Sequence, residues 1–169
     1  MHFFKTLSIF ILSIFLTFPA NAAGSSSKKS EISESAKENH YFRLGKTSIK
    51  QAKKYLKKGK KEKSSNKFSD ALEYLTKANK EQPNNPDILN LLGFSSRKTG
   101  DFIMAEIYYK QGLEIDPNHN GINEYLGELY VQTDRSDLAK ERLKVLENCN
   151  CEEFNELKQV IDGTKKSKY

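Results

Sequence analysis

A chain of 169 residues with 28 lysines and arginines against 22 aspartates and glutamates carries a formal charge of +6 and is moderately basic. Its three histidines, His2, His40 and His119, have no nucleophile or carboxylate at motif spacing, and no glycine-rich loop is built to cradle phosphate. These counts argue against the common enzyme classes, so no catalytic residue, resident metal or cofactor is expected.

In chain order, His2 and Lys5 precede an apolar run from Leu7 to Phe18, and Pro19-Ala20-Asn21-Ala22 carries the small-x-small pattern of signal cleavage. Residues 1–22 are therefore expected to be a secretory signal peptide, since the run falls short of the roughly 20 apolar residues that span a bilayer. Retention as a membrane anchor is the alternative. No cysteine follows the cleavage site, which argues against a lipid anchor. Loss of Lys5 leaves 27 basic against 22 acidic residues, or +5, on a chain expected in the periplasm with no transmembrane segment. Residues 23–48 open on Gly24-Ser25-Ser26-Ser27 and continue through Lys, Glu and Ser. They hold too few apolar groups to offset the entropy of ordering, which predicts a disordered linker. Tyr41, Phe42 and Leu44 are the exception, placed to fold back onto the region that follows.

That region repeats. Gly59, Gly93 and Gly127 are 34 residues apart, and Ala71, Ala105 and Ala139 keep the same spacing. The middle copy is the clearest: Leu92-Gly93, a Gly100-Asp101-Phe102 turn, Ala105 and Tyr109, then Pro117-Asn118. Gly93 and Ala105 suit a point where two antiparallel helices cross closely, Phe102 and Tyr109 fill the space beside them, and Pro117 stops the second helix. The first copy keeps Gly59, Phe68, Ala71, Leu75, Ala78 and Pro83, but has Lys58 where its neighbours have Leu92 and Leu126. The third keeps Leu126, Gly127, Tyr130, Ala139 and Leu143, with Asp134-Arg135-Ser136 at its turn and Cys151 in place of the proline.

This pattern resembles the tetratricopeptide repeat (TPR), a helix-turn-helix unit that buries its apolar face only by stacking on copies of itself. The resemblance covers about residues 49–147 and implies an all-α, right-handed solenoid. Its units would be 49–85 with a degenerate first helix, 86–119 and 120–147, closed by residues 148–169. It also implies a non-enzymatic scaffold that binds a protein or peptide in a concave groove lined by the first helices.

On that geometry Lys53, Lys57 and Lys60, at i, i+4 and i+7, share one face and open the groove with positive charge. Asn90, Phe94 and Arg97 follow on the second unit, and Glu124, Tyr125 and Glu128 on the third, so the charge changes sign along the groove. Such a gradient, with Phe94 and Tyr125 as apolar anchors, suits an extended segment of an envelope protein bound in one direction; both rings are equally suited to packing between helices. The lysines crowded between Lys50 and Lys63 also read as a plain solvated face, or as an attachment to an anionic polymer or lipid surface. Nucleic acid is a poor partner, because this stretch lacks the interleaved aromatics that stack bases. Some TPR adaptors grip a terminal carboxylate with lysine, asparagine, asparagine, lysine and arginine. Those positions here hold Leu56, Lys60, Leu91, Gly121 and Tyr125, and none matches.

Past the repeats, Cys149 and Cys151 flank Asn150 in an expected bend. In an oxidising compartment they suit a disulfide that fixes where the next helix starts; a redox-active dithiol, a copper(I) site or an intermolecular bond are the alternatives. Phe154, Leu157, Val160 and Ile161 then fall at helical spacing, predicting a capping helix with Glu152 and Glu153 in its first turn. A basic tail, Lys165 to Tyr169, closes the chain.

Overall fold

A computed structural model describes residues 39–165. The expected signal peptide, the linker up to residue 38 and the tail end 166–169 lie outside the described residues. Within them are seven helices: α1 (His40–Lys57), α2 (Lys61–Glu81), α3 (Pro86–Thr99), α4 (Phe102–Ile115), α5 (Asn120–Gln132), α6 (Ser136–Leu146) and α7 (Glu152–Ile161). The first six form three antiparallel hairpins, and each hairpin packs on the next. Helix α7 lies against α5 and α6, burying Leu157 and Val160 as a cap. None of these helices is long and apolar enough to cross a membrane.

The middle hairpin shows why the local sequence folds this way. Asn85 Oδ1 accepts from the amides of Asp87 (3.0 Å) and Ile88 (3.3 Å), and Pro86 occupies the first turn, where its missing N–H costs nothing. Gly100 ends α3 at φ 91°, and Asp101 caps α4 by accepting from Met104 N at 3.0 Å. Between the two helices a Cβ on Gly93 would come within 2.5 Å of the Tyr109 ring, so only glycine lets the axes approach this closely.

The first hairpin departs from the expected frame. Gly59 is not at a helix crossing: it sits in the α1–α2 turn at φ 69°, and a Cβ there would meet nothing within 4 Å. The crossing role belongs to Gly45, where a Cβ would meet Leu75 Cγ at 2.6 Å. From glycine to alanine the first hairpin takes 26 residues (45 to 71) and the second 12 (93 to 105). The difference of 14 adds about two helical turns to each arm. Lys58 stands where a leucine was expected because it is the C-cap of α1.

Helix α1 correspondingly begins at His40, so the last nine residues of the expected 23–48 linker are helical. Three contacts hold them. Asn39 Oδ1 caps the helix by accepting from Phe42 N at 3.1 Å, while its Nδ2 donates to Glu81 Oε2 at 2.7 Å, tying the start of α1 to the end of α2. Tyr41 and Phe42 pack onto the core made by Phe68, Leu75 and their neighbours. At the other end Ser64 Oγ donates to the Ala52 carbonyl at 2.9 Å. Replacing Asn39 by Ala should lower stability by about 1–2 kcal/mol, measured as a urea midpoint, because it removes a cap and an interhelix bond. A serine at that position keeps the cap and should restore part of the loss.

Candidate functional site

The first helices of the hairpins, α1, α3 and α5, carry eight of the nine residues expected to line the groove. The ninth, Lys60, is displaced: because the turn comes early it is the N-cap of α2, leaving Lys53 and Lys57 as the lysines on α1. Phe94 forms the centre of an aromatic row, with its ring centroid 5.9 Å from Phe68 and 5.1 Å from Tyr125. The Lys53 and Lys98 ammonium groups lie 4.6 and 5.4 Å from the same centroid. Phe94 is only 1% exposed, so it serves as packing between units, while Tyr125 is half-buried and keeps an accessible edge.

Charge is handled differently at the two ends. From Asn39 to Lys61 there are nine lysines and arginines and no acidic residue. Like charges three and four residues apart repel by a few tenths of a kcal/mol each, and Lys50, Lys54, Lys57 and Lys58 face no carboxylate among the described residues. Several lysines of later helices are paired instead, among them Lys77 with Glu73 (2.7 Å) and Lys110 with Glu106 (2.8 Å). Between α3 and α5, Arg97 donates through Nη2 to Glu128 Oε2 at 2.8 Å, with both side chains shielded from solvent. A pair so buried fixes register between adjacent units, and removing one partner of such a pair typically costs about 3–5 kcal/mol.

Beyond this pair the groove turns acidic. Where α3 and α5 begin, the α4–α5 loop and the start of α7 border a shallow, open depression of about 530 Å³, lined by Asp87, Asn90, Asp116, His119, Gly121, Glu124 and Tyr125 among others. Asn90 and Glu124 are buried in its wall. His119, placed by its sequence in a loop without a carboxylate neighbour, meets Asp87 from 32 residues away, with Nε2 to Oδ1 3.2 Å. Its Nδ1 accepts from Ile122 N at 3.2 Å and so caps α5. No motif spacing could have found this pair; the 34-residue period that stacks α3 beside α5 is the only signal for it.

Cys149 and Cys151 are brought together at the foot of α7. Their Cα atoms are 5.1 Å apart with the sulfurs in bonding contact, and Asn150 between them adopts φ 49°. Asparagine tolerates this left-handed conformation better than most residues.

Residues 86–119, which span α3, α4 and their flanking loops, match the family model described as tetratricopeptide repeat. Two solved structures share the fold. The first TPR of Spaghetti (RPAP3), bound to the HSP90 peptide SRMEEVD, is 20% identical, with 73% of this chain and 94% of that one covered and a TM-score of 0.52. The first TPR domain of human RPAP3, solved by NMR, is also 20% identical, covering 75% and 98% with a TM-score of 0.53. No curated protein matches the chain in sequence. The fold is an all-α solenoid of TPR units.

With Gly45 as the true crossing glycine, the first two clamp positions shift from Leu56 and Lys60 to Phe42 and Lys46. The lysine–asparagine pattern is still missing. Lys98, beside the aromatic row, is pushed down to about 7 by burial, with the charges of Arg97 and Lys53 adding to the effect. An unfolded lysine keeps its proton to about 10.4, so between pH 7 and that value the unfolded chain binds more protons and stability rises with pH. Lys98→Met should be more stable than the parent near neutral pH, with the gap closing toward pH ~10.4. Urea midpoints of both proteins across that range check it.

Proposed function

We propose that this chain is a non-enzymatic scaffold that holds a segment of a partner protein against its α1, α3 and α5 helices. The observation that carries the reading is the polarity of that face. It runs from an unbroken cationic α1, past the half-buried ring of Tyr125, to the carboxylates around the depression at the start of α5. A partner with an acidic stretch at one end and a basic one at the other is bound in a single direction by such a gradient. The peptide held by the Spaghetti domain supports the use of this fold for peptide ligands; the missing clamp residues argue for a different ligand chemistry.

The same reading places the protein across the cytoplasmic membrane, on the strength of the Leu7–Phe18 run and the Ala20-Asn21-Ala22 pattern. An oxidising compartment agrees with Cys149 and Cys151 forming a structural disulfide that sets the start of the capping helix. A second reading, attachment to an anionic surface through α1, is favoured by the exposed Lys50, Lys54 and Lys57, which face no carboxylate among the described residues.

Affinity capture from an envelope fraction separates these readings. The parent protein should retain a partner that is lost on Tyr125→Ala combined with Lys53→Glu and Lys57→Glu, while a double Cys149→Ser, Cys151→Ser variant keeps it. Retention by the triple variant, with the fold intact by circular dichroism, would overturn the groove. Loss of every partner in the cysteine variant would instead favour thiol chemistry. Binding carried by α1 alone should vanish at high salt, because exposed charges are screened within about 8 Å at 0.15 M.

A further inference from the structure

Helices α4 and α6 each pack on α5 but not on each other. They leave between them an open groove of about 310 Å³, with Leu113 and Leu138 on its sides and Leu126 and Tyr130 of α5 beneath. Arg135, the N-cap of α6, bridges to Glu106 of α4 with Nη1 to Oε2 2.8 Å, which fixes the spacing of the two helices. None of the residues expected to line the first-helix groove takes part.

Exposed apolar surface gathers on the same two helices. The large hydrophobic side chains left exposed among the described residues are Ile103, Ile107 and Ile115 on α4 and Leu138 and Val145 on α6. Ile103 is the most exposed of them, at 77%. Around α4, Ile107, Lys110 and Glu114 fall within about 40° of Ile103, so both isoleucines stand on a ridge whose far end borders the groove. On α6, Leu138 and Val145 at i and i+7 share the flank that faces it. Single apolar residues in water are ordinary, but a knob beside a groove is a contact surface.

Two features decide what covers it. The first is self-complementarity. The knob stands at the start of α4 and the groove at its end, ten residues on (103 to 113) and about 15 Å along the axis. When two copies of α4 lie antiparallel across a two-fold axis, the start of each meets the end of the other, and both knobs find a groove at once. The second is charge. The rim sets Lys110 and Arg142 against Glu114 and Glu141, a balance on a chain whose formal charge is +6 and whose α1 holds no acidic residue. Two copies of such a chain repel elsewhere, while here each rim offers both signs to the other.

We propose that two copies of the chain meet on this face, as a two-fold dimer in which Ile103 and Ile107 of each copy seat in the α4–α6 groove of the other. The proposal does not depend on the scaffold reading. It leaves α1, α3 and the Tyr125 end of α5 open, so the dimer presents two first-helix faces at once. A contact of this size is too small for a permanent dimer, which makes assembly concentration-dependent.

Sedimentation equilibrium of the full chain tests it. The parent should pass from monomer to dimer through roughly the 1–100 µM range and go no further, because a two-fold contact uses up the face on both copies. Ile103→Glu, which charges an exposed knob and leaves the core untouched, should weaken the dimer at least about tenfold, and so should Leu138→Glu in the groove wall. Ile115→Glu, about 120° round α4 from Ile103, should leave it unchanged, with circular dichroism checking that all three variants fold. Each variant keeps the Leu7–Phe18 run, so association through that run would survive every substitution. A parent that stays monomeric to about 1 mM would leave the groove to a different partner and overturn the proposal. Assembly that grows past the dimer, a dimer indifferent to Ile103→Glu or Leu138→Glu, or one lost equally in Ile115→Glu would overturn it too.

Discussion

The architecture depends on three places where a first helix approaches a neighbour more closely than any Cβ permits. Gly45 lies against Leu75, Gly93 against Tyr109 and Gly127 against Leu157, and in each case an added Cβ would stand 2.5–2.6 Å from the nearest side-chain carbon. The first two contacts close a hairpin on itself. The third brings α5 to the cap helix α7, so the same device that builds each unit also ends the stack. Ala71, Ala105 and Ala139, all without solvent exposure, are the small residues on the opposing helices.

Once the axes are held this close, the side chains between successive units have little freedom, and their charges become structural. Arg97 and Glu128 are the clearest case, a buried pair that joins α3 to α5 across the unit boundary. The ring of Phe94, held between Phe68 and Tyr125, does the same with apolar surface. The interior of the first-helix face is therefore taken up by register. The cationic end is not used in this way: α1 carries like charges at a cost to its own helix.

How much of this can be read in the amino-acid sequence depends on where the information lies. The middle unit is legible almost residue by residue, since the crossing Gly93, the Gly100-Asp101-Phe102 turn, and Ala105 with Tyr109 are all local signals. The cap helix is legible for the same reason, through Leu157 and Val160 at helical spacing. The first unit misleads. Gly59 falls on the 34-residue period by coincidence while serving a left-handed turn, and the crossing glycine is Gly45, hidden by longer helical arms. Tyr41 and Phe42 stand out in the sequence as apolar residues that fold back onto the first unit, and they do so; that they belong to α1 itself is hidden, because their partners, Leu75 and its neighbours, lie far along the chain on the other arm of the hairpin. The acidic depression is illegible for a similar reason: Asp87 and His119 meet only because stacked units bring positions 32 apart together.

The identity of the crossing glycine in the first unit is the point on which the fold can be tested most directly. Urea midpoints of Gly45→Ala and Gly59→Asn decide it. Overpacking against Leu75 should make Gly45→Ala lose about 1–3 kcal/mol, while Gly59→Asn, in an exposed left-handed turn that asparagine tolerates, should lose a few tenths. A Gly45→Ala protein as stable as the parent, or a Gly59→Asn protein that is the more damaged of the two, would contradict the account.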